Sequence, residues 1–172
     1  MTHSVRCLLS VLILLISAPA LADRQKAGDI IIHNIEVRAT TPNAGASAGY
    51  ALFENQGDEP DRLIGASVAF AKKTEIHEMR LDGDVMKMRQ KPDGLLLPAN
   101  SMVGLVKGGD HLMFMGLVQP VKMGQRYEVV LEFEKAGKVV VMAEVISLSG
   151  KSSKGHDHKG HDHKGHETSH KH

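Results

Sequence analysis

Cysteine is almost absent from this chain of 172 residues, since Cys7 is the only one. It lies in residues 1–22, where a cationic start at Arg6 leads into an apolar run from Cys7 to Ile16 and a small-residue ending, Ala20-Leu21-Ala22. This pattern is typical of a cleaved export signal. The apolar run is shorter than the roughly 20 residues that a membrane-spanning helix needs. We predict a signal peptide at residues 1–22 and export of the remainder to the periplasm.

Loss of Cys7 with the signal leaves a mature chain that has no thiol at all. The chain enters an oxidising compartment where disulfides form, yet none can stabilise it. The mature chain also lacks the thiolate ligand that a blue-copper electron-transfer centre requires. Cys7 stands ahead of the apolar core of the signal and is not placed like a lipoprotein acceptor.

Tryptophan is absent, and aromatic residues make up 3% of the chain, so the core has to be mainly aliphatic. Neither sign of charge is in excess, because the formal net charge is +1. We therefore expect no nucleic-acid partner. With no other long apolar run, we expect no membrane insertion once the signal is removed. We expect the mature protein to be a monomer.

Helical periodicity is also lacking after Ala22, whereas short β-branched and alternating segments recur along the chain. Such spacing predicts an all-β sandwich or barrel. Asp82-Gly83 and Ala136-Gly137 are signals for tight hairpins. The predicted strands are Asp29–Val37, Ala48–Phe53, Leu63–Phe70, Lys73–Arg80, Val85–Gln90, Leu95–Leu97, Met102–Val106, Leu112–Val118, Tyr127–Phe133 and Lys138–Ile146.

Large apolar residues disappear after Leu148, so residues 149–172 are predicted to be a disordered tail. The folded domain should then occupy residues 23–148. The tail repeats Gly-His-Asp-His-Lys at Gly155–Lys159 and Gly160–Lys164. A purification tag is normally a plain histidine run, so the repeat favours a natural metal-binding tract. Its seven histidines are His156, His158, His161, His163, His166, His170 and His172.

Two His-x-Met triplets, His77-Glu78-Met79 and His111-Leu112-Met113, stand out within the domain, with Met86-Lys87-Met88 between them. Neutral, soft thioethers favour Cu(I), whereas zinc would more often recruit cysteine or carboxylate. This cluster therefore indicates a site for Cu(I). Three other methionines have no histidine partner and are expected to fill the core: Met102, Met123 and Met142.

A hairpin centred on Asp82-Gly83 would place Met79 opposite Met86 and His77 opposite Met88. Directly opposed side chains share one face of a hairpin, about 5 Å apart. The same alternation puts His111, Met113 and Met115 on one face of a later strand. If the sandwich brings these faces together, two histidines and at least two methionines converge.

At this point the sequence resembles a known family, the periplasmic copper chaperones called PCuAC, which are cupredoxin-like Greek-key β-sandwich proteins. Their pattern is a histidine, ten residues, a methionine, about twenty-one residues, then His-x-Met. Here ten residues separate His77 from Met88, and twenty-two separate Met88 from His111. We assign the extra residue to the turn Gln90–Gly94. The resemblance extends through Val37-Arg38-Ala39, Gly49-Tyr50, Asn55 and His111–Leu117.

The resemblance implies Cu(I) ligands at His77, Met88, His111 and Met113, with Met79 and Met86 as secondary sites. It implies a copper chaperone that supplies the CuA centre of cytochrome oxidase, alongside Sco-type proteins. The tail would collect Cu(II), as His-rich extensions of some members do. No substrate bond is made or broken, so we expect no enzymatic activity.

Three other functions stay open at this stage. A periplasmic copper buffer or detoxification protein would depend on the capacity of the tail. A cupredoxin-type enzyme or electron carrier would need a redox-active copper. A zinc carrier would use the tail and leave the His-Met cluster unexplained.

Overall fold

The computed structural model describes residues 25–147, which form eleven β-strands and no helix. No helix in this range could therefore cross a membrane. The predicted signal peptide and the His-rich tail lie outside the described residues. The strands are β1 (Gln25–Ala27), β2 (Ile30–Arg38), β3 (Ala46–Asn55), β4 (Asp61–Val68), β5 (Ala71–Asp82), β6 (Val85–Gln90), β7 (Leu95–Leu97), β8 (Ser101–Leu105), β9 (His111–Leu117), β10 (Arg126–Phe133) and β11 (Gly137–Ile146).

Hydrogen bonds join the strands in the order β6-β5-β9-β3-β2-β11-β10-β4-β7, with β1 added to β2 and β8 added to β3. Between the described strands, only β2 and β11 pair in parallel. The sheet closes over a common core: Phe53 of β3 meets Phe133 of β10 with ring centroids 5.9 Å apart. This arrangement confirms the predicted all-β sandwich.

Alternation of side chains along each strand builds that core. In β3, every second residue from Ser47 to Asn55 is buried. All four phenylalanines of the chain are buried, and the rest of the core is almost entirely aliphatic. Burying one such apolar side chain contributes roughly 1.5–3 kcal/mol. A chain without disulfides can therefore depend on this core for its stability.

Several predictions differ from the structure in detail. The strand β1 was not predicted, and β4 begins and ends two residues before the predicted segment. Met102 and Met123 do not fill the core, since they are 57% and 46% exposed. Met102 lies opposite Glu54, and its neighbour Val103 lies opposite the buried Phe53, so strand alternation turns Met102 outward. Met142 is partly buried.

Two carboxylates lie side by side where β2 and β11 pair, because Glu36 is the register partner of Glu144. Partial burial raises the pKa of Glu36 above its ordinary value, and the nearby Glu144 carboxylate raises it further. A carboxyl group with a raised folded-state pKa destabilises the fold when ionised. That penalty is complete above the folded-state pKa and absent below the unfolded-state pKa.

We predict that Glu36→Gln stabilises the metal-free protein at pH 7 by roughly 0.2–1 kcal/mol, the range for neighbouring strand pairs. The gain should shrink as the pH falls toward 4, where Glu36 of the wild type is increasingly protonated. Urea unfolding at a series of pH values measures both effects. Glu128→Gln, on an exposed position opposite Met142, is the control and should change little. A gain that is independent of pH would contradict the electrostatic explanation.

Candidate metal centre

The β5–β6 hairpin turns one residue later than predicted. Asp82 pairs with Val85, so the loop is Gly83-Asp84 rather than Asp82-Gly83. The φ angle of Gly83 is +64°, whereas the φ angle of Asp84 is not positive. Glycine at the first loop position is the pattern of a type II′ turn, while the prediction assumed a type I′ turn with Asp-Gly at its centre.

The later turn changes which β5 and β6 residues lie opposite each other, but it does not change the face from which they project. Met79 lies opposite Met88, and His77 lies opposite Gln90, so the predicted pairing of His77 with Met88 is wrong. Met88 is instead a diagonal neighbour of His77, within reach of long side chains. Each residue of β5 pairs with a β6 residue two positions later than predicted. Because a shift of two residues does not change the face, His77, Met79, Met86 and Met88 still share one face of the hairpin.

The second His-x-Met triplet lies on the neighbouring strand of the same sheet rather than across the sandwich. In the β5–β9 pair, His77 is directly opposite His111, and Glu75 is opposite Met113. The two imidazole rings have centroids 6.0 Å apart and planes inclined by 68°. The intervening Ile76 and Leu112 point into the core. The histidines and Met113 therefore share the other face.

A cleft of about 410 Å³ opens on this face. Met79, Met88, His111 and Met113 line one part of it. The opposite wall comes from the end of β2, the following loop and β3. Most of its side chains are small and leave space, and the lining residues are Arg38, Ala39, Thr40, Thr41, Ala44, Ala46, Ser47, Ala48 and Tyr50. Residue types alone did not mark this wall as functional, although Arg38, Ala39 and Tyr50 lie in segments that carry the family resemblance. Ala48 pairs with Met113 in the register of β3 and β9. Knowledge of that register would have placed the β3 residues of this wall beside the methionine.

The other predicted residues occupy different places. His77 does not line the cleft; its side chain is 13% exposed and lies beside the His111 ring. Met86 is 49% exposed near the hairpin tip, opposite Leu81, and also does not line the cleft. The seven tail histidines lie outside the described residues. His33, on β2, is bonded to Glu54 at 3.0 Å.

Each histidine of the pair has one ring nitrogen held by a neighbour. Nδ1 of His111 lies 2.9 Å from the Gly109 carbonyl oxygen, and Nε2 of His77 lies 2.7 Å from Oε2 of Glu75. Nδ1 of His77 is buried and has no hydrogen-bond partner. A buried polar atom without a partner costs roughly 1–3 kcal/mol. A metal ion bound at this nitrogen would supply the missing partner.

Charged side chains lie next to both histidines. Hydrogen bonds from His77 and from Lys73 hold the pKa of the Glu75 carboxyl below its ordinary value. On the other side, Lys91 forms a 2.6 Å ion pair with Asp110, the residue before His111. The first set of contacts lies within β5, and the Lys91–Asp110 pair links the end of β6 to the start of β9.

The donor types in the cluster suit a soft ion. Within residues 25–147, no three His, Cys, Asp or Glu side chains are grouped so as to hold a metal ion. A site here would need methionine sulfur in addition to the two imidazoles. Imidazole and thioether ligands together carry no charge and favour Cu(I) among biological metals.

Close packing of β3 against β9 supports the strand that carries His111 and Met113. Gly49 is the register partner of Leu112. A Cβ atom at Gly49 would lie 2.8 Å from Cε2 of Phe114 and 3.3 Å from Cβ of Leu112. Since both neighbours are fully buried, the side chains cannot move aside without disturbing the core.

Comparison with known proteins identifies a family whose model matches most of the described domain. A family model described as "Putative lipoprotein LpqE-like" matches residues 30–145. The "Putative lipoprotein Lxx21020" of Leifsonia xyli subsp. xyli (strain CTCB07) is 30% identical over 107 residues. That alignment covers 62% of this chain and 64% of the relative, so the chain spans less than two thirds of the relative's length.

Solved structures of PCuAC domains have the same fold. The copper-bound PCuAC domain from PmoF2 is 29% identical, with a TM-score of 0.62, and the match covers 72% of this chain and 97% of that one. The solution structure of CuI-DR1885 from Deinococcus radiodurans is 27% identical, with a TM-score of 0.56, and the match covers 78% and 85%. These similarities confirm the predicted cupredoxin-like fold and the resemblance to PCuAC proteins.

We predict that Gly49→Ala destabilises the domain by about 1–3 kcal/mol, the usual cost of overpacking a filled core. Urea unfolding of the metal-free protein measures the loss. Gly45→Ala is the matched control, because a Cβ atom there meets nothing within 4 Å. Equal stability of the two variants would show that the β3–β9 contact is not tight.

Proposed function

This chain belongs to the LpqE-like family and has the fold of PCuAC domains, and from this premise we propose that it is a copper chaperone. We propose His77, Met88, His111 and Met113 as the ligands of Cu(I), with Met79 as a neighbouring thioether. The observation that carries the proposal is the direct opposition of His77 and His111, with Met113 on the same face and Met88 diagonal to His77.

The distance between the two imidazole rings is compatible with a single metal ion bound to both. An imidazole–metal bond is about 2.0 Å long. Two such bonds, extended by the radius of each ring, span a distance close to the observed 6.0 Å between centroids. Met88 and Met113 line the adjacent cleft, from which their sulfur atoms could complete the coordination.

Unequal exposure of the proposed ligands supports transfer rather than permanent storage. His111 is 5% exposed, whereas Met88 is 48% exposed. A copper acceptor could therefore approach from the Met88 side and exchange ligands with the ion. Such an exchange makes and breaks only metal–ligand bonds, so the protein is not proposed to be an enzyme. As acceptor we propose the CuA subunit of cytochrome oxidase or a Sco-type protein.

Export to the periplasm follows from the proposed signal peptide at residues 1–22. The family and the curated relative both carry the word lipoprotein in their names, and a lipoprotein is a protein of the cell envelope. In this chain Cys7 lies at the start of the apolar run of the signal and not after it, so we propose export without a lipid anchor on that cysteine.

The His-rich tail is proposed to collect Cu(II) for the domain. At the end of β11, the Ile146 carbonyl oxygen accepts a 2.8 Å hydrogen bond from the Ala39 amide, and Ala39 lines the cleft. The end of β11 is therefore adjacent to a residue of the cleft wall. His156 follows Ser147 by nine residues, which span at most about 30 Å. Transfer to a Cu(I) site also needs one electron from an external reductant.

We predict that Met88→Ala and His111→Ala each weaken Cu(I) binding by more than about tenfold, since each removes a proposed ligand. The measurement is anaerobic competition with a chromogenic Cu(I) chelator, using the chain without residues 149–172 so that tail histidines do not compete. Met102→Ala, which removes an exposed methionine of β8, is the control. Undiminished affinity in both test variants would refute the ligand assignment.

Deletion of Ser149–His172 separates a chaperone from a copper buffer. For a chaperone, we predict that cells with the shortened chain still assemble active cytochrome oxidase at ordinary copper supply, while cells with Met88→Ala in the full chain do not. The readouts are oxidase activity and growth in excess copper. A buffer would show the reverse: the deletion would abolish copper tolerance, and Met88→Ala would leave oxidase assembly intact.

A further inference from the structure

The two paired histidines are held by opposite ring nitrogens. The Gly109 carbonyl oxygen can only accept a hydrogen bond, so the proton of neutral His111 lies on Nδ1. Nε2 of His111 is then the nitrogen with a free lone pair. In His77, by contrast, it is Nε2 that contacts a partner, Oε2 of Glu75 at 2.7 Å. A carboxylate also only accepts, so the proton of neutral His77 lies on Nε2.

Strand geometry holds this contact in place. Lys73, Glu75 and His77 alternate along β5 and therefore project from the same face. Lys73 bonds to Oε1 of Glu75, while His77 bonds to Oε2. The Glu75 side chain is only 10% exposed, so it depends on these two partners to compensate for lost hydration. Each oxygen of the carboxylate thus has its own donor.

The second ring nitrogen of His77 distinguishes between the two tautomers. Nδ1 is buried and has no hydrogen-bond partner. The alternative tautomer would place an unsatisfied proton there and would direct the Nε2 lone pair at the Glu75 oxygen, which is repulsive. The arrangement in the structure instead leaves an unprotonated nitrogen facing no hydrogen-bond donor, as a metal ligand requires.

We propose that Glu75, supported by Lys73, is a positioning residue that fixes the tautomer of His77, so that His77 binds copper through Nδ1 while His111 binds through Nε2. This inference rests on the proposed function, because it takes both histidines as ligands. It adds a residue outside the His/Met set and assigns the coordinating atom of each ring.

The direct test is ¹⁵N NMR of the imidazole rings in the full chain, before and after addition of up to one equivalent of Cu(I) without oxygen. His77→Asn and His111→Asn spectra assign the signals. In the metal-free protein we expect His77 protonated on Nε2 and His111 protonated on Nδ1. On adding Cu(I), the Nδ1 signal of His77 and the Nε2 signal of His111 should move.

The two possible failures are distinguishable in this experiment. A shift of Nε2 rather than Nδ1 in His77 would overturn the inference and leave the copper site intact. If neither ring nitrogen of His77 responds to Cu(I), the ligand assignment itself fails. Both results are read from the unaltered chain, and the variants serve only to assign its signals.

Substitution of the carboxylate gives an independent measurement. Glu75→Ala should weaken Cu(I) binding by about 10–100-fold, the usual effect of removing a group that orients a ligand. It should also convert metal-free His77 to a mixture of tautomers. Glu75→Gln keeps an acceptor oxygen and should restore much of the affinity and the single tautomer.

Glu78→Ala is the matched control. Glu78 is the carboxylate on the other side of His77, pairs in register with Arg89, and lies on the opposite face of β5. Its removal should leave Cu(I) affinity and the His77 tautomer unchanged. Equal losses in the Glu75→Ala and Glu78→Ala variants would overturn the positioning role.

Discussion

The register between β5 and β9 is the constraint on which the candidate site depends. Backbone pairing sets His77 directly opposite His111, and the same pairing sets Ile76 opposite Leu112. Ile76 and Leu112 are buried in the core. A slip of one residue would exchange the two faces, placing imidazoles in the core and apolar side chains in the cleft. Burial of the core face therefore specifies the position of the histidines.

The same design separates the rigid part of the site from its accessible part. The histidines lie on two strands that both have further contacts with the core, and neighbours hold one nitrogen of each ring. Met88 lies on β6, where every residue is exposed. The proposed ligands thus combine two preorganised imidazoles with a thioether that a partner can approach. For a carrier of Cu(I), this combination allows specific binding without closing off the ion.

Much of this arrangement could be predicted from the sequence. Short alternating segments predicted ten of the eleven strands, because burial on one face leaves a period of two in the residue types. Histidine and methionine spacing selected β5, β6 and β9, which form one side of the cleft, but not the wall from β2 and β3. The hairpin register could not be derived, since Asp-Gly and Gly-Asp loops are both compatible with a two-residue turn. Only the fold decides between Gly83-Asp84 and Asp82-Gly83.

Other features depend on tertiary placement and leave no local pattern. Met102 and Met142 are chemically identical, yet β8 turns Met102 outward while β11 partly buries Met142. Strand alternation places Glu75 on the same face as His77 and Glu78 on the opposite face, but only the structure shows the 2.7 Å contact between Glu75 and the His77 ring. The alanines opposite Met113 and Met115 are likewise ordinary strand residues until their neighbours are known.

The exposed β6 strand has a consequence for the order of events during copper release. Among residues 25–147, β6 is hydrogen-bonded to β5 alone, at one edge of the sheet. Edge segments with few buried apolar contacts open at a lower free energy than core strands, as amide hydrogen exchange reveals. Opening of β6 would withdraw Met88 while β5 and β9 stay paired. The proposed four-ligand site would then pass through a state held by His77, His111 and Met113, with one coordination position vacant for the acceptor.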